Sequence, residues 1–172
     1  AQGIDDPKEL ERRGREAGRK ETLHAVRDLT GVPIDRFAEV SLAGFYDLAN
    51  SLDGVTVCLN SPVRDRYSGA HFPAGEQKLN GAQALAFVRQ RHGLANGDLD
   101  RTHRQQAFLL SVLHQLKQMG TLANTDRLGA VVSVAQRNVV LSSGWNLLDW
   151  AESMSDLSAK SISFRTLPVA RD

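Results

Sequence analysis

Cysteine is nearly missing from this sequence: Cys58 is the single one in 172 residues. That excludes an internal disulfide and a zinc site built from several cysteines. No run of 18 or more apolar residues occurs, so nothing here reads as a membrane-spanning helix. No signal peptide opens the chain. The expectation is either a cytosolic soluble protein or one whose anchor lies outside these residues. Neither sign of charge dominates, since 21 Lys and Arg against 20 Asp and Glu leave a net charge of +1. Non-specific duplex binding through a basic surface is poorly supported by that balance. Repeats, low-complexity tracts and linkers are absent, as are Gly-x-Ser-x-Gly, Walker-type and paired-histidine zinc motifs. What remains is 41% hydrophobic and 24% charged, a composition that fits one modest core at this length. Residues 1–172 read as a single folding unit.

The segment after Pro7 is highly charged. Glu9 with Arg13, Glu11 with Arg15, and Glu16 with Lys20 are spaced for i,i+4 ion pairs. Gly14 and Gly18 interrupt it, each at about 1 kcal/mol in a helix interior, so a solvated helix pair or a mobile segment is expected. Leu23, Val26 and Leu29 then form a helical stripe that stops at Gly31. Beyond Pro33 the pattern alternates. Arg36 to Ser41 reads as a short strand, and Phe45, Leu48, Ala49 and Leu52 as one helix face. Val55 to Leu59 is a strand bounded by Gly54 and Asn60. Ser61 to Leu79 reads as a polar loop, and Asn80 as the cap of a helix carrying Leu85 and Val88. A loop from Gly93 to Asp100 leads to a helix from Arg101 to Met119, closed by Gly120. Thr125 caps a helix to about Gln136, Val139 to Leu141 is a strand, Gly144 to Ser155 is helical, and Ser161 to Leu167 is a last strand. Strands alternating with helices argue for an α/β fold, a sheet covered by helices on both faces. Four short strands make that sheet thin.

The chemistry concentrates between Arg89 and Gln106. The stripe Phe108, Leu109, Val112, Leu113 and Leu116 runs backwards into Gln105, Arg104 and Arg101. The stripe of Leu85 and Val88 runs forwards into Arg89 and Arg91. Charges in such positions are costly unless they are paired or line a wet cleft. Guanidinium forks beside a helix N-terminus suit a phosphate-rich ligand, and Gln105 could donate to a bridging oxygen. Asp98 and Asp100, two apart, either hold Mg²⁺ for a pyrophosphate or pair with the arginines, Asp100 also capping the long helix. Both readings stand at this point. His92 and His103 read as bystanders, because neither has an obvious nucleophile beside it. Trp145 and Trp150 read as core, and Cys58 as a buried small hydrophobe.

The run Phe72-Pro-Ala-Gly-Glu-Gln-Lys-Leu-Asn-Gly-Ala-Gln-Ala-Leu-Ala-Phe-Val-Arg-Gln-Arg-His-Gly, continuing to Gly97-Asp-Leu-Asp-Arg-Thr-His-Arg-Gln-Gln, strongly resembles the LytR-CpsA-Psr family. Leu29-Thr-Gly with Asp35, Gly44-Phe45, Gly54-Val55 and the closing Phe164-Arg-Thr-Leu-Pro extend the resemblance over nearly all residues after about 20. Tyr67-Ser-Gly-Ala looks actinobacterial. The resemblance implies an α-β-α sandwich with a mixed central sheet flanked by helices. It also implies a phosphotransferase on the outer face of the cytoplasmic membrane, held there by an N-terminal helix. Such an enzyme moves a glycopolymer, here arabinogalactan-like, from a polyprenyl-pyrophosphate carrier to peptidoglycan, assisted by Mg²⁺ and with pyrophosphatase activity on the side. Its lipid tail lies in an apolar tunnel.

By position, Arg89 and Arg91 match the paired arginines that grip the pyrophosphate, Arg101 and Gln105 complete the grip, and Asp98 matches an acidic residue at the same mouth. Arg104 adjoins them as a substrate-binding candidate. The family also carries upstream Arg-Ser-Asp-Thr-type and Ser-Ile-Pro-Arg-Asp motifs, neither of which occurs here; Pro62-Val-Arg-Asp lies in a different loop. The resemblance therefore implies the C-terminal portion of the catalytic domain. The main metal-binding aspartate, further phosphate-gripping arginines and central strands would lie upstream, leaving an incomplete sheet, weak activity or none, and an exposed sheet edge that invites self-association. Two rival readings are a non-catalytic binder of polyprenyl phosphates or wall polymer, and a nucleic-acid-binding module. The near-neutral charge and the lack of stacking aromatics beside the arginines weigh against nucleic acid as a partner.

Overall fold

The computed structural model describes residues 6–121, 124–146, 149, 162–164 and 166. It divides into two units, Ala1–Phe37 and Ala38–Asp172, each taken here by itself. In the first, α1 (Pro7–Thr30) is one helix where the charge pattern suggested a helix pair or a mobile segment. Its ends are well made. Asp6 accepts from the Lys8 amide, Pro7 opens the first turn, and Gly31 closes it at φ 68° with its N–H on the Arg27 carbonyl. Glu9 meets Arg13 at 2.7 Å and Glu11 meets Arg15 at 2.6 Å, whereas Glu16 takes Arg12 at 3.0 Å. Hydrogen bonds from Arg12 and Arg13 pull the Glu9 carboxyl down to about 2. No residue of α1 is buried, and its Leu29 is exposed.

The second unit runs β1 (Ala38–Val40), α2 (Leu42–Ser51), β2 (Val55–Leu59), β3 (Val63–Asp65), β4 (Ala70–Phe72), β5 (Gly75–Leu79), α3 (Gly81–Arg89), α4 (Asp98–Gln118), α5 (Thr125–Asn138) and β6 (Val139–Leu141). The α/β class stands. Among the described residues the strands form three two-stranded antiparallel ladders: β1 with β6, β2 with β5, and β3 with β4. The 61–79 stretch, read as loop, thus holds three strands. Two of them are only three residues long, too short to show an alternation in sequence. Strand β5 pairs Leu79 with Val55 and Glu76 with Cys58. Val55, Val57 and Leu59 therefore face the core while Thr56 and Cys58 face out. Cys58 is exposed, not the buried hydrophobe expected, because the period of two sets its side. Trp150, most of the expected 144–155 helix and most of the last strand lie outside the described residues; Ile162 to Phe164 carry no strand.

Local signals position α3 closely. Asn80 accepts from the Gln83 amide while the Gln83 side chain accepts from the Asn80 amide, a reciprocal cap. Helix α4 starts three residues earlier than expected, at Asp98, with Gly97 as its N-cap. Asp100 is consequently inside the first turn and not the cap; its carboxylate reaches back to the Asn96 amide at 2.9 Å. Leu79, Phe72, Phe87 and Phe108 sit in one core, with Phe72 edge-on to Phe87 at 6.2 Å and Phe45 tilted on Phe108 at 5.2 Å. Gln115 of α4 covers the start of β2, donating to the Leu52 and Gly54 carbonyls at 2.8 Å each.

Helices α2 and α3 approach so closely that only a glycine fits at the crossing. A Cβ on Gly81 would lie 2.5 Å from the Tyr46 carbonyl oxygen and 2.8 Å from the Asn50 amide nitrogen. The Gly81 N–H also donates to Asn50 Oδ1 at 2.8 Å. Gly81→Ala is expected to cost about 1–3 kcal/mol by overpacking, read as a lower urea midpoint at unchanged slope.

Candidate functional site

Helix α3 ends at Arg89, and Gln90 turns the chain into an extended conformation, φ −58° and ψ 133°. Gln90 is fully buried. Its Nε2 donates to the His92 carbonyl at 3.0 Å, pinning the segment that carries Arg91. Across the short loop, Asp98 opens α4 and takes Arg101 Nη2 at 2.9 Å and Arg91 Nη1 at 3.7 Å. One carboxylate thus gathers guanidinium groups from two neighbouring helix ends. The rest of the α4 first turns face α3: Gln105 Nε2 donates to the Val88 carbonyl at 3.2 Å, and the Arg104 guanidinium lies 4.9 Å over the Phe87 ring.

Two donors in this cluster are buried without an acceptor among the described residues, Arg101 Nε and Arg104 Nη1. Buried guanidinium N–H groups ordinarily have partners. Burial lowers the Arg104 pKa from its ordinary value, against the opposing pull of Asp100. Arg89 is exposed, and among the described residues no hydrogen bond or ion pair ties it to the cluster. Asp100 is engaged otherwise: the backbone amide and side chain of Asn96 hold its carboxyl below the usual carboxylate value despite partial burial, with His103 3.9 Å away. Both aspartates are therefore committed to protein partners. Among the described residues no group of three or more His, Cys, Asp or Glu could hold a metal ion, so these residues do not fit a Mg²⁺ site by themselves.

A second constellation escaped the sequence reading. Asp65 at the end of β3 is buried, accepting from the Tyr67 amide at 2.9 Å and the Ser68 hydroxyl at 2.8 Å. Its Oδ1 lies 3.8 Å from His92 Nδ1, and the Tyr67 ring packs on the imidazole at 4.3 Å. The local half, an aspartate binding its own backbone two residues on, is a turn signal visible in sequence; the partner His92 is not. Burial pushes the Asp65 carboxyl up, but Ser68, the Tyr67 amide and His92 outweigh it and hold it below the usual carboxylate value. A depressed carboxylate stabilises the fold above its unfolded value and loses that contribution as pH falls through the folded one. Asp65→Asn is accordingly expected to remove part of the stability lost below about pH 4, checked by urea midpoints across acid pH.

Residues 7–172 match the profile of the LytR_cpsA_psr family. The chain belongs to that family. It is 45% identical over 168 residues to cell wall biosynthesis protein LcpA of Corynebacterium glutamicum, covering 98% of this chain and 32% of that one. With the Bacillus subtilis polyisoprenyl-teichoic acid–peptidoglycan teichoic acid transferase TagU it shares 31% over 122 residues, 71% of this chain and 38% of that one. The crystal structure of B. subtilis TagV superposes with a TM-score of 0.70 at 26% identity, covering 83% of this chain and 55% of that one. A fold of helices around small antiparallel ladders is thus that of the LytR-CpsA-Psr domain, and this chain spans about a third of the length of such curated relatives.

Proposed function

We propose that this chain carries the pyrophosphate-gripping part of a phosphotransferase that joins a glycopolymer to peptidoglycan. The observation that carries the proposal is the cluster at the α3–α4 junction: Arg91 and Arg101 drawn together on Asp98, with Arg101 Nε and Arg104 Nη1 buried and unpartnered. Asp98 engages Nη2 of Arg101, and Nε of that fork has no acceptor among the described residues, an unmet donor that a phosphate oxygen would satisfy. Phosphoryl transfer asks for charge neutralisation and in-line placement more than for a protein nucleophile. Arg91, Arg101 and Arg104 would offset the charge that develops on the departing polyprenyl phosphate.

A lipid carrier is supported by the same helix. Phe108 lies about 10 Å along α4 from Arg101, at 1.5 Å per residue. There begins an apolar cleft of about 310 Å³ walled by Phe45, Leu48, Leu52, Phe108, Val112 and Val139. A charged mouth followed by an apolar cleft matches a pyrophosphate headed by a polyprenyl chain. The likeness to LcpA and TagU supports a wall polymer as cargo; in an actinobacterial wall that polymer is arabinogalactan-like. A peptidoglycan acceptor supports action at the outer face of the membrane, and no described helix is long and apolar enough to cross it. Mg²⁺ belongs to the proposal as a companion of the substrate's own phosphate oxygens.

The test uses the full-length protein, a labelled polyprenyl-pyrophosphoryl oligosaccharide and uncrosslinked peptidoglycan. Label appearing in peptidoglycan with release of polyprenyl phosphate is the expected result. Hydrolysis of the donor when peptidoglycan is omitted is the expected side activity. Donor binding with no labelled peptidoglycan would assign the chain instead to non-catalytic carriers of wall polymer.

A further inference from the structure

Arginines account for the leaving group, but a sugar hydroxyl that attacks phosphorus must also lose a proton. Within the transferase reading, on which this inference rests, we propose that His92 is the base that takes it, held by Asp65 behind Nδ1 and by Tyr67 against its ring. His92 follows Arg91 directly, and its carbonyl is anchored by the fully buried Gln90, so its backbone shares the support of the arginine mouth. Its side chain is 58% exposed while that of Asp65 is 1% exposed. The carboxylate is thus buried behind a largely exposed imidazole. A carboxylate behind Nδ1 favours the tautomer with the proton there, leaving the Nε2 lone pair outward. The 3.8 Å separation is of the kind that shortens when a substrate is bound.

The groups in contact with the imidazole are the Asp65 carboxylate and the Tyr67 phenol ring, with Arg91 adjoining along the chain. Tyr67 is 81% exposed. One face of its ring meets His92, and the exposed remainder offers an apolar surface to the C–H face of an acceptor sugar. In the step itself the acceptor oxygen bonds to the phosphorus that carries the polymer. The bond from that phosphorus to the bridging oxygen breaks, and its electron pair leaves on the polyprenyl phosphate. The hydroxyl proton passes to His92 Nε2, and water removes it afterwards.

The experiment measures kcat and KM for transfer by the full-length protein, with farnesyl pyrophosphate binding measured beside it. His92→Ala is expected to lower kcat about 100-fold, as loss of a general base does, with farnesyl pyrophosphate affinity within twofold of wild type. Added imidazole is expected to restore at least tenfold of that loss. Asp65→Asn is expected to lower kcat about tenfold with KM unchanged. Transfer by His92→Ala within twofold of wild type overturns the proposal, and so does a fall that imidazole does not rescue, since a purely structural clamp of the β3–β4 hairpin would behave that way. A wild-type protein that transfers no polymer overturns the transferase reading itself.

Discussion

Arg101→Ala is expected to lower glycopolymer transfer by about 100- to 1,000-fold, the usual effect of removing one preorganised donor from a developing oxyanion. Arg91→Ala is expected to fall in the same range. The two arginines reach one carboxylate from opposite sides of the loop, so each is placed for the same anion. Stability is expected to change little. The Arg91 side chain is 57% exposed, and exposed ion pairs are worth about 0–1 kcal/mol. Arg101→Lys separates charge from geometry: it keeps a cation but loses the planar fork and the buried Nε donor. It should recover less than a tenth of the lost rate. Steady-state transfer kinetics beside thermal melts decide the matter. Undiminished transfer by Arg91→Ala and Arg101→Ala at wild-type stability would remove the arginines from the reaction.

Phe108→Ala is the largest stability change expected, about 3–5 kcal/mol. Phe108 is 4% exposed and its ring lies 5.2 Å from that of Phe45, so truncation removes both the buried area and the aromatic contact between α4 and α2. Against a typical total of about 5–15 kcal/mol, that loss brings the domain close to unfolding at growth temperature. The ring also forms one wall of the apolar cleft. Phe108→Leu keeps most of the volume and should cost less than half as much. Urea unfolding of both variants reads the difference; equal midpoints would show that this ring does not hold α4 on the core.

The parts legible in sequence are those where cause and effect lie within a turn of each other. The Asn80 cap, the Gly31 stop and the strand from Val55 to Leu59 stand where their residues placed them. Helix α4 was misplaced by three residues because its N-cap is Gly97, which has no side chain to announce it. The hairpin of β3 and β4 escaped because three residues carry no measurable period. The composition of Val-Thr-Val-Cys-Leu points to a buried Cys58, whereas its alternation puts that side chain outward.

At the candidate site the division is similar. That arginines end one helix and begin the next follows from two apolar stripes, and both stripes are local. What Asp98 does with them, how Arg104 comes to lie on Phe87, and the meeting of Asp65 with His92 all join residues separated along the chain.

By itself, then, the sequence determined helices α2, α3 and α5, the principal strand, the family and the charged character of the α3–α4 junction, because spacing and capping act through bonds and neighbours. Tertiary structure alone decided which side chains share an anion, which carboxylate stands behind which imidazole, and where the apolar cleft opens. Those depend on helices packing at particular separations, such as the one Gly81 permits. Such distances arise only when the whole core closes.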